Sequence, residues 1–426
     1  MIDAAWHIVG GRPLRGRVRP SGSKNGALPT LAATLLLEGE TVLQNVPRIG
    51  DVLTMMELLR AFGLTVEERE RGELQIVNRG LTTHSAPEDL VARMRASHYL
   101  LGPVVARLGR ANLPLPGGCD IGQRPMNYII SGLEALGVQA QVETGKITAR
   151  ASRLTGARVA LNPVYRSPGA TFNVLMAAAT AKGTTVIENA SFEPDVVVFC
   201  HFLKAAGAQI EGIGQPTLTV TGVQGLAGTG HRVNADRLEA GTFLCAAAAT
   251  RGEVTVEEVT RSDLGAAADK LDEAGVELTT STEGLRARCP GRPRGISVVT
   301  EPYPGFPTDL QPPMTTLLVC AEGESTVRES IFDRRLQYAD QLARMGASMR
   351  VLDSRRLAVR GVERLHAAKV EAHNIRDGAA MVIAALSAEG ESVVSGWRYV
   401  ARGYEEFEGK LRSLGAQITL AGEGDG

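Results

Sequence analysis

One pattern recurs six times along this 426-residue chain, and that periodicity restricts the fold more than any single motif does. Each copy has an apolar, Ala/Leu-rich run, a Gly, a short strand of Val and Thr, a polar loop, and a second helix closing in "GA" or "GV" before a further strand. Five copies align readily, beginning at Ala32, Ala177, Ala246, Leu317 and Ile383. The remaining copy starts near Ser97 and closes with YIISGLEALGVQ, and its loop, LPLPGGCDIGQRP, has no counterpart in the others. A period of ~70 residues is too long for an ordinary solenoid repeat and suits a small βαβ-type unit carrying its own sheet.

The apolar runs PTLAATLLL, ATFNVLMAAATA, AGTFLCAAAAT and GAAMVIAALSA carry few charges. A helix apolar all round is a buried one, and small side chains let several such helices approach closely. The expected fold class is therefore α/β (α+β), with buried central helices inside and sheets and amphipathic helices outside. Six repeats divide into three and three, and the Gly-rich stretch GVQGLAGTGHRVNADR is a candidate boundary. The expected domains are 23–233, which carries the Cys119 loop, and a discontinuous one of 1–22 plus 234–426, the residues before the first repeat pairing back with the C-terminal half. Two chain crossings of this kind favour a hinge that closes on a ligand.

With 44% hydrophobic and 22% charged residues the chain reads as globular, and its length favours more than one domain. A net charge of −1 gives no electrostatic reason to expect nucleic acid or a membrane surface, so any anion site must be local. Cys119, Cys200, Cys245, Cys289 and Cys320 are scattered and never in a C-x-x-C pair, which argues for a reducing compartment and against a structural zinc. The histidines show no metal spacing, so no metal site is expected. The opening MIDAAWHIVGGRPLRG has no apolar core of the signal-peptide kind, and no long uncharged apolar run occurs, so the expected location is cytoplasmic. P-loop, strand–GxGxxG–helix, G-x-S-x-G and H-E-x-x-H motifs are all missing.

Chemistry is expected where the copies differ, just before each apolar run: SGSKN, RMRAS, YRSPGA, NADRLEAG, FPTDLQ and NIRDG. A helix N-terminus offers unpaired N–H groups and the positive end of the dipole, so such ends suit an anion. Lys24, Arg95, Arg124, Arg335, Arg376 and Arg402 fall at helix starts or in strand-to-helix loops, where a cation opposes the dipole and invites an anionic partner. Taken singly, each is equally a solvated loop charge. Asp309, after Pro307, reads either as a helix N-cap or as a general base kept ionised by cations. Cys119, flanked by Gly117, Gly118 and Gly122 and close to Arg124, sits where a thiol would be exposed and acidified.

Together, SGSKNGALPTLAATLL, NVPRIGDVLTM, MRASHYLLGPVVARLG, LPGGCDIGQRP, SPGAT, DRLEAGTFL, PGFPTDLQ and RGYEEFEGKLRSLGA resemble the UDP-N-acetylglucosamine enolpyruvyl (1-carboxyvinyl) transferase family. The resemblance implies two inside-out α/β domains, each of three βαβαββ-type repeats, with a cleft that closes on a nucleotide substrate. Its partners would be phosphoenolpyruvate and a uridine nucleotide sugar. It implies that Lys24, Arg124 and Arg402 hold the phosphoenolpyruvate phosphate, that Arg376 and Arg402 lie near its carboxylate, and that Arg95 and Arg335 belong to the same cationic surroundings. Asp309 would take the acceptor hydroxyl proton, and Cys119 would protonate the methylene carbon. Catalytic roles would thus fall to Cys119, Asp309, Lys24 and Arg402. The nucleotide would meet Asn25, Arg124, Pro125, Met126, Asn127, Ser167, Gly169, Asp309 and Ile331.

Departures from the family pattern cluster on the acceptor side. R-P-x-D-L-H becomes Arg124-Pro125-Met126-Asn127-Tyr128-Ile129, and D-L-R-A-[SG] becomes Asn374-Ile375-Arg376-Asp377-Gly378. A usual S-V-G turn becomes Ser167-Pro168-Gly169, which removes a backbone N–H where a diphosphate would bind. Three readings follow: transfer to UDP-N-acetylglucosamine, transfer to another uridine nucleotide such as UMP in a nucleoside-antibiotic pathway, or a non-catalytic nucleotide-binding paralogue.

Overall fold

A computed structural model describes residues 4–117 and 126–421. Cys119, Arg124 and Pro125 lie outside the described residues. The chain forms two compact units, one of residues 22–117 and 126–234, the other of residues 4–21 and 235–421.

Each unit is organised around three helices that start the repeats. In the first these are Lys24–Ala33, Leu101–Leu108 and Pro168–Ala178. In the second they are Arg237–Ala249, Gln311–Val319 and Ile375–Ser387. Every residue of Arg237–Ala249 and of Gln311–Val319 is buried, the charged Arg237 and Glu239 in the first turn included, with small and apolar residues making up most of the rest. Gln311–Val319 packs against both of its companions, and Leu101–Leu108 packs against Pro168–Ala178. Small residues make these approaches possible. A side chain on Gly102 would press into the backbone carbonyl of Asn173, whose side-chain oxygen accepts the Gly102 N–H at 2.8 Å. The buried threonines return their hydroxyls to the carbonyl one turn back, Thr30 to Gly26 and Thr242 to Leu238 at 2.8 Å, which satisfies those hydroxyls within the helix.

Outside the helices lie small sheets whose strands alternate, as in Glu253–Glu257, where Val254 and Val256 point inward. The topology recurs from repeat to repeat. The strand after a central helix typically pairs antiparallel with the last strand of its own repeat and parallel with a strand from the segment before the helix, but Leu37–Gln44 takes its parallel neighbours from Leu226–Ala227 and Gly230–Arg232. Thr184–Glu188 is thus flanked by Thr217–Thr221 and Arg158–Ala160, and Glu324–Arg328 by Arg356–Arg360 and Ser297–Val299. In the copy with the odd loop the parallel neighbour of Arg110–Pro114 shrinks to one bridge, Ser85 to Asn112. The chain's opening residues fill two of these places. Arg15–Val18 is the parallel neighbour of Glu253–Glu257. Ala5–Val9 lies antiparallel between Glu391–Ser395 and Gln417–Ala421, where the other repeats use a strand of their own. Among the described residues no helix is long and apolar enough to cross a membrane.

Candidate active site

Within residues 22–234, Ser23 caps the first central helix by accepting the Gly26 N–H at 3.2 Å. Its own hydroxyl donates to the buried Asp195 at 2.6 Å. Lys24 is therefore the first helical residue, with Asn25 beside it, both half-buried. Lys24 stands 3.8 Å from Asp51, the two side chains being only 13% and 7% exposed. Asp51 lies in the first turn of helix Gly50–Ala61, where the dipole favours a carboxylate. It is the counter-ion that positions Lys24, and the motif NVPRIGDVLTM contains it without announcing that role.

Arg95 opens a short 3₁₀ segment, Arg95–Leu100, and donates to the Pro116 carbonyl at 3.3 Å. Burial pulls its pKa down. The Arg95 carbonyl meets His98 Nδ1 at 2.7 Å, and a carbonyl only accepts, so Nδ1 carries the proton. The Nε2 edge of that imidazole lies against Gly169, where a side chain would displace it. His98 thus couples Arg95 to the start of helix Pro168–Ala178, a link not evident from the sequence.

Ser167 caps that helix, accepting the Ala170 N–H at 3.3 Å, while its carbonyl accepts the Thr171 N–H at 3.0 Å. Pro168 occupies the first helical turn, where proline has a suitable φ and its missing N–H would be unpaired in any case. The departure at Pro168 leaves the helix intact. It does leave Gly169 as the N–H this turn offers to an anion. Met126 precedes helix Asn127–Glu134, whose exposed first residue is Asn127. Ile129 is 5% exposed and packs in the core, so this departure from the family pattern presents no side chain to solvent.

In the unit of residues 4–21 and 235–421, Asp309 belongs to the 3₁₀ turn Thr308–Leu310, with Pro307 in the cap position. It is not the N-cap its sequence context allows. Its carboxylate receives Arg335 Nη2 at 3.0 Å on one oxygen and Arg376 Nε and Nη2 at 3.4 Å on the other. Asp309 remains 27% exposed, whereas Arg335 and Arg376 are 2% and 3% exposed. Two deeply buried guanidinium groups thus converge on one partly exposed carboxylate. Arg335 Nε and Arg376 Nη1 are buried without a hydrogen-bond partner. A buried guanidinium N–H left unmatched is costly, and an anion is the natural partner for it.

Neighbours hold both arginines. The Arg376 guanidinium lies over the Tyr404 ring at 5.0 Å, and the Tyr404 hydroxyl meets Thr242 at 2.9 Å. Burial works against the Arg376 cation, but Tyr404, Asp309 and Asp236 outweigh it and raise its pKa. Glu329, fully buried, accepts from Thr300 at 2.8 Å, from Thr308 at 2.9 Å, and from the Ile331 and Phe332 N–H groups at 2.8 and 3.1 Å. That carboxylate sets the backbone on which Ile331, Thr308 and Arg335 are placed, and it has no sequence signature. Arg402 departs from its expected placement: it sits half-buried in the turn between helices Trp397–Val400 and Phe407–Ser413, not at a helix start.

Burial pushes the thiols of Cys200 and Cys245 up to about 12 and that of Cys320 up to about 11, and also raises Cys289. None of these four is a nucleophile at neutral pH. Among the described residues no group of three or more His, Cys, Asp or Glu side chains could hold a metal ion.

Comparison with known proteins gives a consistent result. The family model for EPSP synthase (3-phosphoshikimate 1-carboxyvinyltransferase) matches residues 8–411. UDP-N-acetylglucosamine 1-carboxyvinyltransferase 3 of Symbiobacterium thermophilum is 45% identical over 418 residues, covering 98% of both chains. The UDP-N-acetylglucosamine 1-carboxyvinyltransferase of Halorhodospira halophila is 43% identical over 411 residues, covering 96% of this chain and 98% of its own. The crystal structure of the enolpyruvyl transferase NikO from Streptomyces tendae superposes with a TM-score of 0.88 at 25% identity, over 99% of this chain and 100% of that one. EPSP synthase from Acinetobacter baumannii, at 20% identity and a TM-score of 0.75 over 98% of this chain and 100% of its own, shares the fold.

Proposed function

We propose, because this chain belongs to the EPSP synthase family of enolpyruvyl (carboxyvinyl) transferases, that it moves the enolpyruvyl group of phosphoenolpyruvate to a sugar hydroxyl of UDP-N-acetylglucosamine. The observation that carries this reading is the pair of buried arginines on Asp309, each with an unmatched guanidinium nitrogen. Phosphoenolpyruvate bears a phosphate and a carboxylate, and it needs converging cations; a hydroxyl acceptor needs a base. One cluster offers both. Identity of 43–45% over nearly the whole chain to two UDP-N-acetylglucosamine 1-carboxyvinyltransferases supports the acceptor.

In the proposed reaction Asp309 takes the proton of the acceptor hydroxyl as its oxygen attacks C2 of phosphoenolpyruvate, and Cys119 delivers a proton to C3. This produces a tetrahedral ketal carrying both carboxylate and phosphate. The Cys119 thiolate then takes a proton back from C3, and the double bond re-forms as the C2–O bond to the phosphate breaks and phosphate leaves. Arg376, Arg402, Arg124 and Lys24 offset the charge on phosphate and carboxylate, Arg335 and Arg95 add to the positive field, and Asn25 contacts the acceptor. Ser167, Gly169, Met126, Asn127, Pro125 and Ile331 serve the uridine nucleotide, Gly169 by the N–H left to its helix end. The first committed step of peptidoglycan synthesis in the cytoplasm, with closure upon substrate, is the setting that fits this reaction. The protein requires no metal or organic cofactor in this scheme.

Incubation with phosphoenolpyruvate and UDP-N-acetylglucosamine should yield acceptor carrying one enolpyruvyl group, read by mass spectrometry, together with one phosphate per turnover. A product formed only from UMP would move the assignment to the second reading, which rests on the altered acceptor residues Asn127 and Ile129. Nucleotide binding without any product would indicate a non-catalytic paralogue. Cys119 should be the thiol alkylated by an epoxide phosphonate such as fosfomycin, because the four described thiols are held protonated by burial. An intact protein mass with no adduct, or an adduct on Cys320, would contradict an acidified Cys119.

A further inference from the structure

Arg376 and Arg402, the two arginines expected near the phosphoenolpyruvate carboxylate, come from different elements. Arg376 is the second residue of helix Ile375–Ser387, and Arg402 lies in the turn after Trp397–Val400. Close contacts tie that turn to the helix start. The Arg376 guanidinium carbon lies 5.0 Å from the centre of the Tyr404 ring. A side chain on Gly403 would press into Ile375, and one on Gly378 into Val400, so the two segments approach this closely because both positions are glycine. The Gly403 and Tyr404 N–H groups donate to the Val400 carbonyl at 2.9 and 3.0 Å and close the turn.

Tyr404 is itself held in place. It is 2% exposed and packs on Phe407 with ring centres 4.7 Å apart, and Phe407 continues to Phe243 at 5.8 Å. Its hydroxyl meets Thr242 Oγ1 at 2.9 Å. The Thr242 hydroxyl has one proton and donates it to the Leu238 carbonyl, so Tyr404 is the donor in the pair. Burial raises the Tyr404 pKa, which keeps that proton in place. The ring is thus tied to helix Arg237–Ala249 at its hydroxyl and offers its face to Arg376. Asp309, by contrast, meets Arg376 only at 3.4 Å, beyond the usual hydrogen-bond length, and fixes the guanidinium loosely by itself.

Resting on the enolpyruvyl-transfer reading, we propose that Tyr404 is a positioning residue for the anion site, whose ring sets the plane of the Arg376 guanidinium. Lying two positions beyond Arg402, it also fixes the turn that carries that second cation. An aromatic face suits a guanidinium, and the attraction grows where water is excluded. Arg376 Nη1, buried without a hydrogen-bond partner, is then held in readiness for a carboxylate or phosphate oxygen.

The test uses the full chain. Tyr404→Phe keeps the ring over Arg376 and loses only the bond to Thr242, whereas Tyr404→Leu loses the ring. Y404L should raise KM for phosphoenolpyruvate roughly 10- to 30-fold with KM for the nucleotide acceptor nearly unchanged, and Y404F should stay within about threefold of wild type. A fall in kcat alone is what partial unfolding gives, and it would reduce Tyr404 to a packing residue. A second arm needs no turnover: sulfate is titrated at pH 8, where the Asp377 carboxyl, pushed up to about 6 by burial, keeps one charge state. Y404L and Arg376→Met should each weaken sulfate binding, and the double variant should lose clearly less than the two losses multiplied together. Losses that multiply independently would mean that Tyr404 does not act through Arg376 and would overturn the proposal. Sulfate binding with the expected coupling, in a protein that forms no product, would overturn the transferase reading and leave this one standing.

Discussion

At the scale of single residues, the decisive arrangement is one partly exposed carboxylate shared by two buried guanidinium groups. Asp309 carries opposing duties, since it offsets Arg335 and Arg376 and must also accept a proton. Asp309→Asn keeps the shape and removes the base, so product formation should fall by about 10²–10⁴-fold while circular dichroism stays unchanged. Near-normal turnover in that variant would remove Asp309 from the proposed chemistry. Asp377 makes a separate prediction about stability. Its folded-state pKa lies above the ordinary carboxyl value, so its contribution is fully present below that ordinary value and is lost as pH rises through about 6. Asp377→Asn should therefore melt higher than wild type at pH 7.5, with the advantage shrinking toward pH 4, on the order of 2–3 kcal/mol across the window. A difference independent of pH would mean that the carboxyl does not titrate between those limits. Asp309, Arg335 and Arg376 were each legible as unusual residues at repeat junctions. The supporting residues Glu329, Asp51 and His98, which hold Thr308, Lys24 and Arg95, were not, because each is an isolated polar residue whose role depends on a neighbour that only the fold supplies.

At the scale of elements, the buried helix starting each repeat was readable because nothing else explains a run apolar on every side. Its limits were less readable, since caps and 3₁₀ turns depend on one or two hydrogen bonds. Asp309 shows the difference: the sequence allowed a cap, but Asp309 lies inside the 3₁₀ turn Thr308–Leu310 and the α-helix begins at Gln311, one residue later than a cap there would require. Pro168 shows the converse, for a loss of N–H that looked disruptive falls where a helix tolerates it. Close helix approach gives a sharper test. Gly102→Ala places a methyl group against the Asn173 backbone, and overpacking of this kind costs about 1–3 kcal/mol. Denaturant unfolding should show that loss, and an unchanged midpoint would mean that helices Leu101–Leu108 and Pro168–Ala178 can separate without penalty.

At the scale of the whole molecule, the sixfold repetition is closed by the chain's own beginning. Strand Ala5–Val9 completes the last repeat, burying Ile8 and Trp6, and Trp6 Nε1 donates to Glu408 at 2.6 Å. Removing residues 4–9 should expose the edges of Glu391–Ser395 and Gln417–Ala421 and leave residues 235–421 prone to aggregate. A truncated protein that stays monomeric with an unchanged melting temperature would contradict this. Counting repeats suggested where the opening residues pair, but not that they replace a missing strand, because register is invisible until both neighbours are placed. The cysteine loop shows where the sequence said most and the described structure says least: the motif around Cys119 carries the resemblance to the family, and Cys119 lies outside the described residues. The assignment as an enolpyruvyl transferase using UDP-N-acetylglucosamine is tested most directly by steady-state phosphate release from phosphoenolpyruvate with UDP-N-acetylglucosamine or UMP as acceptor. Our account predicts a kcat/KM at least ~10-fold higher for UDP-N-acetylglucosamine, and an equal or greater value for UMP, or no phosphate release with either, would contradict it.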